Sequence, residues 1–542
     1  MLPAQMMTLP LSITSVMTFA EKAHADSEIV SVTYDNHCHR YTYRDAFRRV
    51  RKLANALSEA GVEPGDRVAT LAWNDHRHFE LYYAIPCMGA VCHTINPRLF
   101  TEQVEYIVNH AKNELLFVDP VFLPLVETLM ESDTSLKQVV LLTDMNNVPE
   151  TTLRNVIDYE TFIDTQPEVF EWPEIDENSA SGLCYTSGTT GNPKGVLYSH
   201  RSSLLHAYAA ITPDVMCLSS HDVVLPIVPM FHVNAWSLPY AAPMVGCKLV
   251  LPGSQMGDSE TLQHLIEQEG VTISAGVPTI WLALLDYLRT HKKSVESLNR
   301  VVVGGAACPL SIMDEFETLH GVKTLQGWGM TETSPLGVFN TLKAGMCDLP
   351  KEKLDTVRVK QGRPIFGVDI RIVDEKGNEQ PWDGESTGEV QVKGNWVCHS
   401  YYKQEDSSPV DKDGYFPTGD VASIDSQGYM RITDRIKDVI KSGGEWISSI
   451  DLENAAMSHP AVAEAAVIGV PHSRWTERPL LVVKMAANQE ACRDEILSSL
   501  EGKVAKWWIP DDIQFVEDIP HTATGKISKK DLRVQFADYS AG

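Results

Sequence analysis

Helix-like and strand-like segments alternate along the N-terminal half of this chain. Residues 43–60 carry apolar side chains at helical spacing, and a Gly-Val-Glu-Pro-Gly-Asp turn then leads to the strand-like residues 67–73. The same order recurs with a helical pattern at 78–88 and an apolar strand at 90–95. Because consecutive parallel strands need a crossover, which is usually a helix, this alternation predicts βαβ units on mainly parallel sheets.

Chain length and a change of pattern predict more than one folding unit. The chain has 542 residues, more than one hydrophobic core usually supports. Short strands between Gly, Asp and Pro turns predict a β-rich module at about 362–433, and a further α/β block follows. The charged run 434–438 is interpreted as a hinge, although a solvated loop has the same composition. We therefore expect an α/β fold with a large domain at 1–433 and a small domain at 434–542.

Charge and cysteine usage exclude several classes of protein. The formal charge of −26 argues against a nucleic-acid-binding surface, which needs basic patches. The ten cysteines include no CxxC pair, so neither a zinc site nor a disulfide framework is indicated. The sequence contains no run of 18 apolar residues, so no transmembrane segment is predicted. Together these features favour a cytoplasmic protein.

The run 185–195, YTSGTTGNPKG, has the composition of a phosphate-binding loop. Glycines allow close approach of the backbone to a ligand, hydroxyls and free N–H groups bind anions, and Lys194 adds a positive charge. The run differs from a Walker A loop because Asn192 and Pro193 separate its last glycine from Lys194. A flexible linker is the alternative on composition alone. The hydroxyl and glycine positions are Thr186, Ser187, Gly188, Thr189, Thr190 and Gly191.

Four further segments suit a nucleotide enzyme. Residues 326–333 read QGWGMTET, in which Glu332 is a hard oxygen ligand suited to magnesium. Residues 415–420 read YFPTGD, and the carboxylate of Asp420 could accept hydrogen bonds from both ribose hydroxyls. Residues 441–446, KSGGEW, form a second glycine loop with a flanking cation and aromatic, and residues 520–526, PHTATGK, present Lys526. Each motif alone is weak evidence for a nucleotide enzyme, but the occurrence of all of them in this order is specific.

Taken in this order, the motifs resemble those of the AMP-forming adenylate ligases, which include acyl-CoA synthetases, firefly luciferase and peptide-synthetase adenylation domains. The resemblance covers nearly the whole chain. It implies a large N-terminal domain of two α/β sheets plus a β-barrel, and a small α+β C-terminal domain that rotates between half-reactions. It also implies that a carboxylate and ATP give an acyl-adenylate and pyrophosphate, after which the thiol of coenzyme A displaces AMP.

The resemblance also implies a role for each matching residue. Lys526 would contact the carboxylate and the α-phosphate, and the loop from Thr186 to Lys194 would hold the ATP phosphates. Thr186 and Glu332 would bind Mg²⁺, while Asp420 and Arg435 would hold the ribose. Lys437 lies at the hinge position and Lys441 nearby. The remaining expected nucleotide contacts are Gly304, Gly305, Gln326, Gly327, Trp328, Gly329, Met330, Thr331, Gly443, Gly444 and Trp446.

Residues 228–240, VPMFHVNAWSLPY, are expected to line the acyl pocket. His232 and Trp236 lie four positions apart and would share one face if the segment were helical, although a buried structural histidine is the commoner outcome. Val233, Asn234, Gly304 and Trp328 are the other expected substrate contacts, and His232 joins Lys526 and Glu332 as a candidate catalytic residue.

The acid itself is predicted from one unusual residue and from the run's resemblance to relatives. The family usually has tyrosine where this chain has Trp328, and the larger ring should shorten the acyl cavity. An aromatic wall also suits a thioether. The run 228–240 resembles that of bacterial fatty-acyl-CoA synthetases and of ligases for 3-methylmercaptopropionate in dimethylsulfoniopropionate breakdown. We therefore expect that acid or a short-to-medium fatty acid, with a medium- or long-chain fatty acid as the alternative.

The residues and the resemblance also bear on alternative functions and on the oligomeric state. Another adenylating enzyme, or a nucleotide or acyl sensor without activity, is the remote alternative. A sensor would be expected to lack Lys526, Glu332 or Asp420, and all three are present. Fatty-acyl relatives are often dimers, so the resemblance implies a homodimer.

Overall fold

The computed structural model describes residues 2, 4–132, 134–186, 192–442, 445–486, 489, 491–522 and 526–539. The strands of this part of the chain are β1 (Glu28–Val32), β2 (Cys38–Thr42), β3 (Arg67–Leu71), β4 (Val91–Thr94), β5 (Leu115–Val118), β6 (Gln138–Leu141), β7 (Val156–Asp158), β8 (Ala180–Tyr185), β9 (Gly195–Ser199), β10 (Val223–Pro226), β11 (Lys248–Leu251), β12 (Ile273–Gly276), β13 (Arg300–Val303), β14 (Lys323–Gly329), β15 (Leu336–Phe339), β16 (Arg363–Pro364), β17 (Val368–Val373), β18 (Thr387–Gly394), β19 (Phe416–Ile424), β20 (Met430–Arg435), β21 (Ile440–Ser442), β22 (Glu445–Ile447), β23 (Val462–His472), β24 (Thr476–Met485) and β25 (Asp512–Phe515).

The α-helices of the same part are α1 (Ile13–Ala23), α2 (Tyr43–Glu59), α3 (His76–Cys87), α4 (Thr101–Ala111), α5 (Leu123–Glu131), α6 (Tyr159–Asp164), α7 (His200–Ile211), α8 (Leu238–Val245), α9 (Ser259–Glu269), α10 (Pro278–His291), α11 (Leu310–His320), α12 (Lys351–Arg358), α13 (Ser449–Met457), α14 (Arg493–Leu500) and α15 (Lys529–Gln535). None of these described helices combines the length and hydrophobicity that a membrane span requires.

The strands form four sheets, and the α/β fold class is confirmed. A nine-stranded sheet has the order β16-β15-β14-β13-β12-β10-β11-β1-β2, and a seven-stranded sheet has the order β7-β6-β5-β3-β4-β8-β9. Strands β3–β7 pair in parallel, as the alternating pattern predicts. The β-rich module is a four-stranded antiparallel sheet, β17-β18-β19-β20. The C-terminal sheet has the order β22-β21-β24-β23, with β25 paired to β24.

The largest hydrophobic core joins one face of each of the two large sheets. Phe47 of α2 and Phe79 of α3 pack there, together with Phe117 of β5 and Val302 of β13. The opposite face of the nine-stranded sheet packs against α9–α11, and that of the seven-stranded sheet against α4 and α5. Both sheets are therefore covered on their two faces, which explains why their strands read as continuous apolar runs.

The charged run 434–438 begins inside a strand, so the alternative of a solvated loop does not hold for its first two residues. Asp434 and Arg435 end β20, and the turn starts at Ile436. Asp434 is buried, and its carboxylate accepts hydrogen bonds from the backbone N–H of Ser449, at 3.0 Å, and from the Ser449 hydroxyl. A buried acceptor with two donors joins β20 to α13 although its sequence is charged.

Thr476 has an unfavourable backbone conformation that a glycine would relieve. This exposed, β-branched residue opens β24 with φ of 72°, a region that L-residues other than glycine and asparagine rarely adopt. Thr476→Gly should raise the free energy of unfolding by about 0.5–1 kcal/mol, because relief of strain outweighs the extra freedom of the unfolded chain. Urea unfolding combined with amide exchange in β23 and β24 measures this change.

Thr387 offers a matched control for that substitution. It is also an exposed threonine near the start of a strand, β18, and its φ is not positive. Thr387→Gly should lower the free energy of unfolding by about 0.5–1 kcal/mol. A loss of stability in both variants would contradict the strain at Thr476.

Candidate functional site

The phosphate-loop candidate connects the two antiparallel strands β8 and β9. Tyr185 pairs with Gly195 across this hairpin, and the N–H of Thr186 donates to the carbonyl oxygen of Lys194 at 2.9 Å. The N–H of Lys194 in turn donates to Oγ1 of Thr186 at 3.3 Å. The two ends of the loop are therefore held together. Ser187, Gly188, Thr189, Thr190 and Gly191 lie outside the described residues.

Glu332 lies in a short turn that tertiary contacts hold in place. Oε1 of its buried carboxylate accepts a hydrogen bond from the Tyr401 hydroxyl at 2.7 Å, and its carbonyl oxygen accepts from the N–H of Cys398 at 2.7 Å. The Tyr198 hydroxyl donates to the carbonyl oxygen of Thr331 at 2.8 Å. Burial raises the pKa of Glu332, while the Tyr401 hydrogen bond opposes that effect. Lys194 lies 4.8 Å from the centre of the Tyr401 ring, so both candidate phosphate segments border one aromatic side chain.

Asp420 is buried between a cation and an indole. It pairs in register with Arg435 across β19 and β20, with Oδ1 at 3.4 Å from the guanidinium Nε. Oδ2 accepts a hydrogen bond from Nε1 of Trp328 at 2.8 Å. Burial raises the pKa of Asp420, and Arg435 and Trp328 counteract that shift. Trp328 thus contacts the ribose-site candidate as well as lining the cavity expected for the acyl group.

Lys526 enters the same region from the C-terminal part of the chain. Its N–H donates to Oγ1 of Thr522 at 3.2 Å, and the N–H of Ser528 donates to the carbonyl oxygen of Pro520 at 2.7 Å, so residues 520–522 are held against residues 526–528. A Cβ added to Gly305 would lie 3.9 Å from Cε of Lys526. Burial, reinforced by Arg435, lowers the pKa of Lys526 to about 8, and the carboxylates of Asp420 and Glu332 oppose this shift.

One cavity of about 660 Å³ combines a charged part with an apolar end. Thr186, Lys194, Glu332, Arg435 and Lys526 line its charged part. The apolar and aromatic lining residues include Val228, Phe231, Trp236, Val302, Leu336 and Phe339. A pocket with a few convergent polar groups and a large apolar wall is typical of a small-molecule site.

His232 and Trp236 both line this cavity, but the segment that joins them is not a right-handed helix. Residues 233–237 form a left-handed turn with φ between 43° and 61°. Such a turn costs about 1–2 kcal/mol per residue, and such strain concentrates at functional sites. The Trp236 ring covers Gly304, where an added Cβ would approach it to 2.7 Å. Burial lowers the pKa of His232 to about 4, with Lys526 and Arg98 contributing.

A second cavity, of about 950 Å³, adjoins the first. Gly305, Trp328, Lys437 and Lys526 line both. The further charged residues of the second cavity include Lys484, Lys529, Lys530 and Arg533, together with Glu453 and Glu464. Its walls come from the nucleotide-site candidates on one side and from α13, β23, β24 and α15 on the other.

Three predicted contacts have side chains directed elsewhere. Nε2 of Gln326 donates to the carbonyl oxygens of Arg358 and Lys360, both at 2.6 Å, so this side chain cross-links the backbone instead of lining either cavity. Oδ1 of the buried Asn234 accepts from the Tyr82 hydroxyl at 3.3 Å. Lys441 lies on β21, outside both cavity linings, with Nζ 3.9 Å from Glu375.

The predicted glycine loop 441–446 is described in part only. Gly443, Gly444 and the side chain of Trp446 lie outside the described residues. Gly327, Gly329, Met330 and Thr331 line the first cavity.

Sequence patterns did not indicate Tyr401, Arg98 or His206 as site residues. Arg98 stands over the Trp73 and Phe231 rings, with Cζ at 5.8 and 5.9 Å from their centres, and it lines the first cavity. Each of the three lies outside a recognisable motif. Long-range contacts, and not their neighbours in sequence, bring these residues to the site.

Comparison with known proteins identifies the class. Residues 19–402 match the AMP-binding enzyme family and residues 451–526 match the AMP-binding enzyme C-terminal domain. The chain therefore belongs to the AMP-binding enzyme family, and it is an acid–thiol ligase.

Several full-length relatives and solved structures are similar to this chain. A 3-methylmercaptopropionyl-CoA ligase of Ruegeria lacuscaerulensis is 49% identical over 99% of both chains. A medium-chain-fatty-acid–CoA ligase of Ectopseudomonas oleovorans is 48% identical over 98% of this chain and 97% of its own length. The crystal structure of an anthranilate CoA ligase in complex with anthranoyl-AMP has a TM-score of 0.86 and 25% identity, over 97% of this chain and 98% of that one.

Proposed function

We propose that this protein is a 3-methylmercaptopropionyl-CoA ligase that forms AMP and also accepts short and medium fatty acids. The observation that carries the proposal is the single cavity in which cations and carboxylates converge at one part and aromatic residues line another. The names of full-length relatives at 48–49% identity support it. A medium- or long-chain fatty-acid ligase is the second candidate, because relatives with those names are nearly as similar.

In the first proposed step, a carboxylate oxygen of the acid attacks the α-phosphorus of ATP and the bond to pyrophosphate breaks. Two anions approach each other, so cations directed at the developing charge are the main source of catalysis. Lys526 would contact the carboxylate and the α-phosphate. Thr186 and Lys194 would hold the phosphates, while Asp420 and Arg435 would hold the ribose hydroxyls.

Magnesium is part of this proposal, and the residues present fit it. Glu332 and Thr186 both line the first cavity, where Glu332 offers a carboxylate and Thr186 a hydroxyl. One carboxylate with a hydroxyl and phosphate oxygens is a common Mg²⁺ ligand set. The bound ion would neutralise phosphate charge. Glu332 and Thr186 would hold it.

In the second proposed step, the sulfur of coenzyme A attacks the acyl carbonyl carbon and the bond to AMP breaks. The second cavity offers lysines for an anionic nucleotide, with Lys437 between the two cavities. We also propose that residues 1–433 and 434–542 are separate domains and that 434–438 is the hinge between the two half-reactions. His232 would orient the carboxylate as a neutral imidazole, consistent with its lowered pKa.

Trp236 and Trp328 support a short acid. Both line the first cavity, and their rings occupy space that a long acyl chain would need. The Trp328 ring is also restrained, because its indole N–H donates a hydrogen bond to the Asp420 carboxylate. An aromatic surround favours a thioether by about 0.3–1.5 kcal/mol over a simple apolar contact.

A panel of acids tests this proposal. The kcat/KM for CoA consumption should be higher with 3-methylmercaptopropionate or butyrate than with palmitate, by at least about tenfold, because a restrained aromatic wall excludes the long chain. A higher kcat/KM with palmitate would contradict the short-acid proposal and support the long-chain alternative.

We further propose that the enzyme is a cytoplasmic homodimer. The support is the family resemblance and the absence of a spanning helix among the described residues. Light scattering at micromolar concentration would test the dimer, and fractionation of cells would test the location.

A further inference from the structure

Asn74 lies where the two large sheets meet. It follows β3 of the seven-stranded sheet and is fully buried. Its backbone pairs with Gly253, which follows β11 of the nine-stranded sheet, and the N–H of Gly253 donates to the Asn74 carbonyl oxygen at 2.9 Å. Asn74 itself lines neither cavity. Any effect of this side chain on the reaction must therefore pass through other residues.

The Asn74 amide bonds only to the backbone that leaves β10. Its Nδ2 donates to the carbonyl oxygens of Pro226 and Val228, each at 2.9 Å. Its Oδ1 accepts from the N–H of Met230 at 2.6 Å. These partners also fix which end of the amide is which, because only the NH₂ group can donate to two carbonyls. A single side chain thus specifies the backbone path of residues 226–230.

Tyr82 of α3 holds the other polar backbone group of Met230. Its hydroxyl donates to the carbonyl oxygen of Met230 and lies 3.3 Å from Oδ1 of Asn234. Tyr82 and Met230 are both buried, and Tyr82 also lines neither cavity. The N–H and the carbonyl oxygen of Met230 are therefore both bonded to buried side chains, those of Asn74 and Tyr82.

The neighbours of Met230 in sequence face the reaction cavity. Pro229, Phe231 and His232 line the first cavity, whereas Met230 packs in the largest hydrophobic core. A displacement of the backbone at Met230 would move Phe231 and His232 with it. Misplacement of a substrate-positioning group by about 1 Å can cost about 10²-fold in rate. The bonds to Met230 therefore control where two cavity side chains lie.

We infer that Asn74 and Tyr82 are positioning residues for the carboxylic acid, which act through the backbone of residues 226–230. They hold Phe231 and His232 in place and so set how well the acid binds. The expected nucleotide contacts lie on other strands and turns, so ATP binding does not depend on this arrangement. The inference rests on the proposed function and adds to it the residues that align the acid. No other side chain of this length supplies two donors and one acceptor.

Asn74→Ser tests the inference in the adenylation half-reaction, measured as pyrophosphate exchange. The substrate is the acid with the highest kcat/KM in the wild-type enzyme. The KM for this acid should rise by about tenfold or more, while the KM for ATP should change by less than about twofold. A loss of folded enzyme alone would lower the apparent kcat and leave both KM values unchanged. Unchanged KM values, or equal rises in both, would overturn the inference.

Tyr82→Phe is the second variant, because it keeps the buried ring and removes only the hydroxyl. The KM for the acid should rise by about 3- to 10-fold, the effect of one hydrogen bond, with the KM for ATP unchanged. Tyr83→Phe is its matched control: Tyr83 is equally buried on α3, and its hydroxyl donates to the carbonyl oxygen of Pro239 at 2.8 Å. An unchanged KM for the acid in Tyr82→Phe, or an equal rise in Tyr83→Phe, would overturn the inference, also where Asn74→Ser does not fold.

Asn113 provides the matched control for Asn74. It is a fully buried asparagine before β5, and its Nδ2 donates to the carbonyl oxygen of Arg67 at 2.8 Å. It lines neither cavity, so Asn113→Ser should leave both KM values unchanged. The inference and the proposed function fail separately. A preference for palmitate contradicts the proposed short acid, whereas the KM ratios between variant and wild type concern Asn74 and Tyr82 whichever acid is preferred.

Discussion

Lys526→Ala should reduce acyl-adenylate formation by about 10²–10³-fold, because it removes a cation from the point where carboxylate and α-phosphate meet. Thioester formation from preformed acyl-AMP should remain near the wild-type rate. The two half-reactions are measured separately, the first as exchange of pyrophosphate into ATP and the second as CoA consumption with acyl-AMP supplied. Equal loss of both half-reactions would contradict the assigned role.

Two further measurements identify the cause of that loss. Lys506→Ala is the control, because Lys506 is an exposed lysine of the same C-terminal region and lines neither cavity. The pKa of Lys526 is lowered from 10.5 to about 8, so its ammonium loses its proton as the pH rises through about 8. If the ammonium is required, the adenylation rate should be at its maximum below pH 7 and should decline above pH 8. A rate that stays constant to pH 10 would exclude a requirement for the charged lysine.

Glu332→Gln should lower adenylation by about 10²–10³-fold and raise the Mg²⁺ concentration needed for half-maximal rate. The substitution removes one negative charge at nearly constant volume, and the amide oxygen can still accept from the Tyr401 hydroxyl, which lies 2.7 Å from Oε1 in the wild type. The loss is therefore assigned to metal binding and not to misfolding of the turn. Pyrophosphate exchange measured over a range of Mg²⁺ concentrations gives both quantities.

Tyr401→Phe separates the carboxylate from its hydrogen bond. It leaves the negative charge of Glu332 and removes one donor, so adenylation should fall by about tenfold or less. Glu332→Gln with a wild-type rate and an unchanged Mg²⁺ dependence would contradict the metal role. A larger loss in Tyr401→Phe than in Glu332→Gln would indicate that the hydroxyl, and not the charge, is the important group.

Local patterns predicted those parts of the fold whose residues are neighbours in sequence. The strands predicted at 67–73 and 90–95 are observed as β3 (Arg67–Leu71) and β4 (Val91–Thr94), since a short apolar run between turn residues has few other conformations. Strand β20 continues through Asp434 and Arg435 into the charged run, because burial of Asp434 depends on its contact with Ser449. The charged composition suggested that Asp434 is exposed, but its contact with a residue fifteen positions away buries it.

The same distinction applies within the site. Thr186, Lys194, Glu332, Asp420, Arg435 and Lys526 were named from motifs, and five of them line one cavity, with Asp420 in the wall of the adjoining one. Gln326 and Asn234 also lie in motifs, but their side chains bond to other parts of the chain. A motif specifies which residue types occur and at what spacing. It does not specify which way each side chain points.

By itself the sequence determined the class of this protein: an α/β chain with the ordered motifs of an adenylate-forming ligase. Those signals are contiguous, so backbone conformation and chemistry are encoded within a few residues. Only the tertiary structure decided that Trp328 donates to Asp420, that residues 233–237 turn left-handed, and that Asn74 holds the backbone of Met230. The Trp328–Asp420 and Asn74–Met230 contacts join residues 92 and 156 positions apart. Such pairings depend on how packed sheets and helices meet, which no local pattern specifies.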